Sequence, residues 1–271
     1  MNLEQIKRKK AIYETWFIIF IIITALSFIL FMTNPLLMIG FIIGGLGASA
    51  MTGMLKKLSN HFKNVYVREV LDKLIPGCKY EPERGLESSY VYDSKILKRE
   101  DRYHSEDYLE GYISGKHFIS ADVHLRDVRR SGKSTTVVTV FQGRFFEIEF
   151  NKKFENDVYI MPNRTLLFGL FEGMKRVELE YIVFNQTFDV FSKDQHSAFY
   201  LLKPRFMEKL LEFSNIAKRT MFGFRAKKVM IALDTRVDSF DLKMFKDIDT
   251  QFFDEIKKEV KLIEDLIELI S

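Results

Sequence analysis

Thr15 to Leu55 reads TWFIIFIIITALSFILFMTNPLLMIGFIIGGLGASAMTGML, without one Asp, Glu, Lys, Arg or His. A bilayer core takes about 20 apolar residues at about 1.5 Å rise each. As a single helix this run would be about 60 Å long, twice what a membrane accommodates. Two spans divide it, Trp16 to Met32 and Leu36 to Leu55, with Thr33-Asn34-Pro35 between them. Asn favours turns, and Pro fixes φ, lacks an N–H and suits the first turn of a new helix. So short a link makes the two spans antiparallel neighbours. The expectation is a helical hairpin through a membrane.

The second span is rich in small residues: Gly40, Gly44, Gly45, Gly47, Ala48, Ser49, Ala50 and Gly53. Gly40, Gly44 and Ala48 make a stripe at four-residue spacing, which lets helix backbones approach closely in lipid. The stripe fits contact within the hairpin or between two copies. Lys7, Arg8, Lys9 and Lys10 precede the first span, and Lys56, Lys57 and Lys63 follow the second. The positive-inside rule then puts both termini in the cytoplasm, in a multi-pass protein of the cell (inner or plasma) membrane. A cleaved signal peptide is disfavoured, because the apolar run is too long and Ala48-Ser49-Ala50 follows a second apolar stretch.

Roughly 215 residues remain outside the membrane, enough for one sizeable domain. The formal charge of +4 falls largely beside the apolar run. It points to anionic headgroups rather than to nucleic acid. Cys78 is the one cysteine, so no intrachain disulfide forms, in keeping with a reducing compartment.

Residues 56–75 carry a helical apolar stripe that ends at Pro76-Gly77. From 89 to 191 the β signal dominates. Tyr108 to Val128 predicts two strands around Gly115, and Thr135 to Phe150 a hairpin turning at Gln142-Gly143. Val158 to Ile160 predicts a short strand stopping at Pro162, and Val177 to Phe191 a strand pair around Asn185-Gln186. Leu166 to Gly173 is apolar and ambiguous. Gln195 to Leu202 and Arg205 to Lys218 predict two helical pieces divided by Pro204. Met221 to Phe224 and Val229 to Leu233 form a last hairpin. From about residue 250, Phe253, Ile256, Val260, Ile263, Ile267 and Ile270 recur at heptad spacing. That seam packs on its own domain or makes a short coiled coil between copies; two and a half heptads favour the first.

Motifs with chemical meaning are weak. Ser131-Gly132-Lys133-Ser134 resembles the end of a phosphate-binding loop, but Asp127 stands where a glycine is needed and the segment joins strands. A solvated hairpin turn is the reading. Cys78 follows a helix C-terminus, where the dipole disfavours a thiolate. His61, His104, His117, His124 and His196 lack metal-ligand spacing. Glu178 and Glu180 share a face if 177–191 is strand, and alone they make no cation site. Asn163-Arg164-Thr165 and Asn185-Gln186-Thr187 match the glycosylation pattern by chance. No catalytic, cofactor-binding or metal-binding residue is expected.

Three stretches carry a family resemblance: FQGRFFEIEFNK at Phe141 to Lys152, VELEYIVFNQTFDVFSKD at Val177 to Asp194, and AFYLLKPRFMEKL at Ala198 to Leu210. In this order they resemble the uncharacterised bacterial DUF3137 domain family, whose members similarly place an apolar hairpin before the domain. The resemblance implies no activity. In these stretches Gly143 suits a turn, Phe184 and Phe188 suit a core, Asp194 suits a helix cap and Pro204 a helix start.

The expected architecture is therefore α+β. A basic N-terminus (1–14) leads into a transmembrane hairpin (15–55) and a juxtamembrane helix (56–75). A cytoplasmic α+β domain with a mainly antiparallel sheet (76–249) follows, then an amphipathic C-terminal helix (250–271). The expected partners are the lipid bilayer and a protein partner or second copy, not nucleic acid. A membrane-anchored binding or regulatory module is the expected function. An enzyme whose site assembles only in three dimensions, or an oligomeric structural subunit, is the alternative.

Overall fold

The computed structural model describes residues 2–31, 34–132, 134–163, 171, 173–236, 240–248 and 251–270, with the side chains of 251 and 252 excepted. It is α+β: two N-terminal apolar helices, a nine-stranded antiparallel sheet and a C-terminal helix. The chain forms two compact units, Met1–Glu69 with Phe240–Phe252, and Val70–Ser239 with Phe253–Ser271.

In the first unit, α1 (Leu3–Leu30) opens on a capping box in which Asn2 and Gln5 bond each other's backbone. Asn34 then accepts from the Leu36 amide at 3.0 Å, and Pro35–Leu37 makes a single tight turn into α2 (Met38–Phe62). Both helices are long and apolar enough to cross a membrane. Gly40 lies against Ser27, Gly44 against Thr24 and Phe20, and Gly47 against the Phe20 ring. Rising numbers on α2 meet falling numbers on α1, so the pair is antiparallel. A Cβ on Gly44 would sit 2.8 Å from the Phe20 carbonyl oxygen. The small-residue stripe is thus used inside the hairpin, where backbones meet too closely for side chains.

A π-helical turn, Lys63–Val67, continues α2. Here the segment 240–248 docks on the same unit. Asp241 accepts from Ser59 Oγ at 2.9 Å and pairs with the buried Lys63 Nζ at 2.8 Å. Ser59 Oγ in turn accepts from the Leu242 amide. The Phe245 amide donates to Glu14 Oε1 at 2.7 Å, and Glu14 is ion-paired with Lys10.

The second unit begins within the helix that ends as α3 (Arg68–Leu74), followed by β1 (Lys79–Glu81) and α4 (Ser88–Asp93). The strands β2 (Arg102–Ile113), β3 (Lys116–Ser131) and β4 (Ser134–Glu149) form a long meander, turning at Ser114-Gly115 and at Gly132. Then come β5 (Val158–Pro162), β6 (Lys175–Val177), α5 (Ile182–Thr187), β7 (Phe188–Ser192), α6 (Gln195–Leu201) and α7 (Pro204–Phe213). The chain closes with β8 (Arg219–Arg225), β9 (Lys228–Asp234) and α8 (Gln251–Ile270). The spatial order is β1-β2-β3-β4-β9-β8-β5-β7-β6, every pairing antiparallel.

Both faces of the sheet are covered. One packs Val123, Leu125, Phe145, Tyr159 and Met230 against Val91, Ile96 and Leu97. The other turns Phe222 to Phe213 and Phe188, and Phe224 to Phe206. On α8, Ile256, Ile263, Leu266 and Ile267 are buried. The C-terminal seam therefore packs within its own unit.

Several expectations need correction. Gln142-Gly143 is not a turn: β4 runs straight through it. Gly143 is there because the Leu233 carbonyl oxygen occupies the place of its Cβ. The segment 177–191 is not a strand pair but the end of β6, the helix α5 and the strand β7, so Glu178 and Glu180 share no strand. Most of the ambiguous stretch Leu166 to Gly173, together with Lys133 and Arg164, lies outside the described residues. The other assignments in the family-like stretches agree. Phe184 and Phe188 are buried, Asp194 caps α6 by accepting from the Ser197 amide at 3.0 Å, and Pro204 starts α7.

Candidate functional site

The strongest concentration of unusual chemistry lies in the sheet's first four strands and on α8. Asp122 of β3 and Arg144 of β4 are direct cross-strand partners. Arg144 Nε donates to Asp122 Oδ1 at 2.7 Å, and both side chains are buried. Asp107 lies in β2 at the irregularity between Glu106 and Leu109, with φ of +58°. Its buried carboxylate accepts from the Tyr80 hydroxyl of β1 at 2.5 Å. Glu259 of α8 completes the group, buried within electrostatic reach of Arg144 and Asp122.

Three carboxylates thus share one guanidinium in a water-poor setting, and the titrations follow. Burial pushes the Glu259 carboxyl up to about 7; Arg144 opposes this, and Asp122 and Glu255 add to it. Burial, with the Asp107 carboxylate next, raises the Tyr80 hydroxyl, so it stays a neutral donor. Burial works against the Arg144 charge, but Asp122, Glu259 and Asp107 together hold its pKa above the ordinary value.

A recess of about 60 Å³ opens beside this group, lined by His104, Glu106, Asp122, His124, Gln142 and Gly143. His104 and His124 are cross-strand partners. Burial, with Arg126, His104 and Arg236, lowers the His124 pKa and favours its neutral form. The recess holds a few waters and is far below the several hundred Å³ of a small-molecule site.

A second polar knot secures β4 to β9. The β3–β4 register shifts between Leu125 and Arg126, leaving Val140 as the extra residue. Both Arg219 and Arg236 donate to the Val140 carbonyl. Both also grip the fully buried Asp234, at 2.6 Å and 3.2 Å. Asp234 Oδ1 accepts from the Gln142 amide as well. Two partly exposed cations gather around one buried anion and the carbonyl of the extra residue, a structural role.

The residues weighed in sequence do not converge. Cys78 is half-buried in the turn before β1. His117 bonds Glu110 at 3.1 Å, and His104 faces Glu106 at 3.4 Å. Ser131 and Ser134 pair across the β3–β4 turn. Among the described residues, no three His, Cys, Asp or Glu side chains are arranged to hold a metal ion. Sequence reading missed the buried ionisable group. Helical spacing carried no signal for it: Glu259 and Val260 lie equally close to the stripe through Ile256 and Ile263, yet Glu259 is the more buried of the two.

Among solved structures, the chain is similar to the mycobacterial trehalose monomycolate transport factor A, TtfA. Identity is 13%, with 71% of this chain and 88% of that one covered, at a TM-score of 0.39. That likeness is too distant to carry fold or function across. No curated protein matches. The family described as "Protein of unknown function (DUF3137)" matches residues 139–271, from within β4 through α8, the part of the chain that holds Arg144 and Glu259.

Proposed function

We propose that this chain is a membrane-anchored binding or regulatory module, held by the α1–α2 hairpin with both termini on the cytoplasmic side. One observation carries the reading. The hairpin's internal contact is made by glycines, while large apolar side chains such as Ile22, Phe28, Ile29, Leu36 and Leu46 are at least half exposed. A helix pair that spends its small residues on itself and turns Ile, Leu and Phe outward needs an apolar solvent. Lysines at the outer ends of both helices supply the orientation.

Buried ionisable groups are also what an enzyme would show. Here Asp122 is bonded by Arg144, Asp107 by Tyr80, and the adjoining recess is too small for a substrate. That supports a network that fixes the strands and α8 over one that does chemistry.

Topology is tested by thiol labelling in intact cells, in a Cys78→Ser background. A cysteine at Asn34 should react with an impermeant reagent from outside, and one at Ser271 should not. Labelling at Ser271 alone would overturn the orientation. Affinity capture of the full chain from native membranes then tests the binding role. Loss of all co-purifying material after crosslinking would argue against it.

A further inference from the structure

The β3–β4 ladder outruns the sheet. Along β3 the last residue paired to β2 is Arg126, and along β4 the first paired to β9 is Arg144. From the Asp127–Val138 pair to the Ser131–Ser134 pair, the two strands are hydrogen-bonded to each other in a ribbon about 15 Å long. None of its described residues is buried. A two-stranded ribbon of this kind is marginal by itself and adds nothing to a core. Its charge is predominantly basic. Arg129 and Arg130 are exposed, Arg126 stands at the root, and Lys133 follows Gly132 in the sequence. Asp127 pairs with Arg129 at 3.0 Å, and Asp101 accepts from the Val128 amide. These two are the acids that bond to the ribbon among the described residues.

We propose that the ribbon Asp127–Val138 is an arm that docks on anionic phospholipid headgroups, an inference that rests on the membrane reading of the hairpin. Guanidinium groups match phosphate oxygens two donors at a time. Each basic residue near an anionic bilayer raises partitioning about fivefold. Arg236 bonds Thr139 and Val140 at the ribbon's root and fixes the arm to its own sheet. Val137, two-fifths exposed, pairs with Val128 and lies on the same face as the Arg130–Thr135 pair, where it adds an apolar contact of the kind an interface accepts.

The test uses the full chain in nanodiscs of phosphatidylcholine alone, or with phosphatidylglycerol added. An environment-sensitive fluorophore is placed on Thr136→Cys in the Cys78→Ser background. Co-elution with discs of both kinds reports the hairpin; the fluorophore reports the arm. The expected result is a blue shift in the anionic discs only. It should vanish at high salt and in Arg129→Gln/Arg130→Gln, which leaves co-elution and melting unchanged. Equal emission in both discs while the chain co-elutes overturns the arm and spares the hairpin. A shift indifferent to lipid charge that grows with copies per disc would show pairing with a second chain, and also overturns it. Failure to co-elute with either disc removes the hairpin reading and this inference with it.

Discussion

Replacing Glu259 with Gln removes a titration and little else. The side chain keeps its size and its place on α8 near Arg144 and Asp122. In the folded chain the carboxyl binds its proton with a pKa of about 7, against an ordinary value of 4.5. The folded state holds the proton more tightly than the unfolded one. The resulting stability is therefore complete below pH 4.5 and is lost as pH rises through 7. At about 1.4 kcal/mol per pH unit the whole loss is roughly 3 kcal/mol, most of it between pH 5 and pH 8. Denaturant unfolding of the full chain in detergent measures it, followed by near-UV circular dichroism of the domain's tyrosines. Trp16 lies in α1 and reports on the other unit. The native chain should lose about 2–3 kcal/mol relative to Glu259→Gln over that interval. His124 titrates in the opposite sense and is common to both chains, so the difference isolates Glu259. Parallel profiles for the two chains would refute the buried, electrostatically crowded position assigned to this carboxyl.

Ile263→Asp puts a charge at a fully buried position on α8 and should cost at least about 3 kcal/mol, while the full chain's mass in detergent stays the same. Loss of oligomer without loss of domain stability would show that α8 joins copies instead. Phe188→Ala empties a buried site that touches Phe184 and Phe222, and should cost roughly 3–5 kcal/mol by denaturant unfolding. Gly44→Leu drives a side chain into Phe20 and Thr24, so a disulfide between Ser27→Cys and Gly40→Cys should form in the native background and fail in this one. Equal crosslinking in both would place the glycine stripe elsewhere.

What was legible in the sequence is what local chemistry decides. An uncharged run with Asn34-Pro35 at its centre reads as two helices, because only helices and closed barrels satisfy the backbone in lipid and the run lacks the alternation of barrel strands. Gly115 between alternating segments reads as a turn, and it is one, with φ of +73°. Gln142-Gly143 has the same local look and is no turn. The deciding contact is the Leu233 carbonyl, some ninety residues away, against which no side chain fits. Asn185-Gln186 misled similarly. The Asn185 side chain bonds both backbone groups of Leu179, closing a loop onto α5 instead of a hairpin. Buried charge was hidden for a different reason. Asp122 and Arg144 occupy strand positions where alternation allows a polar residue, Asp107 sits at a strand irregularity, and the Glu259 carboxyl that joins them comes from α8, more than a hundred residues away.

The proposed anchor is tested most directly by washing membranes from cells that express the full chain with alkaline carbonate. The hairpin should keep the protein in the pellet until detergent is added, and a chain lacking residues 1–55 should be released. Full-length protein recovered in the carbonate supernatant would contradict a hairpin embedded in the bilayer.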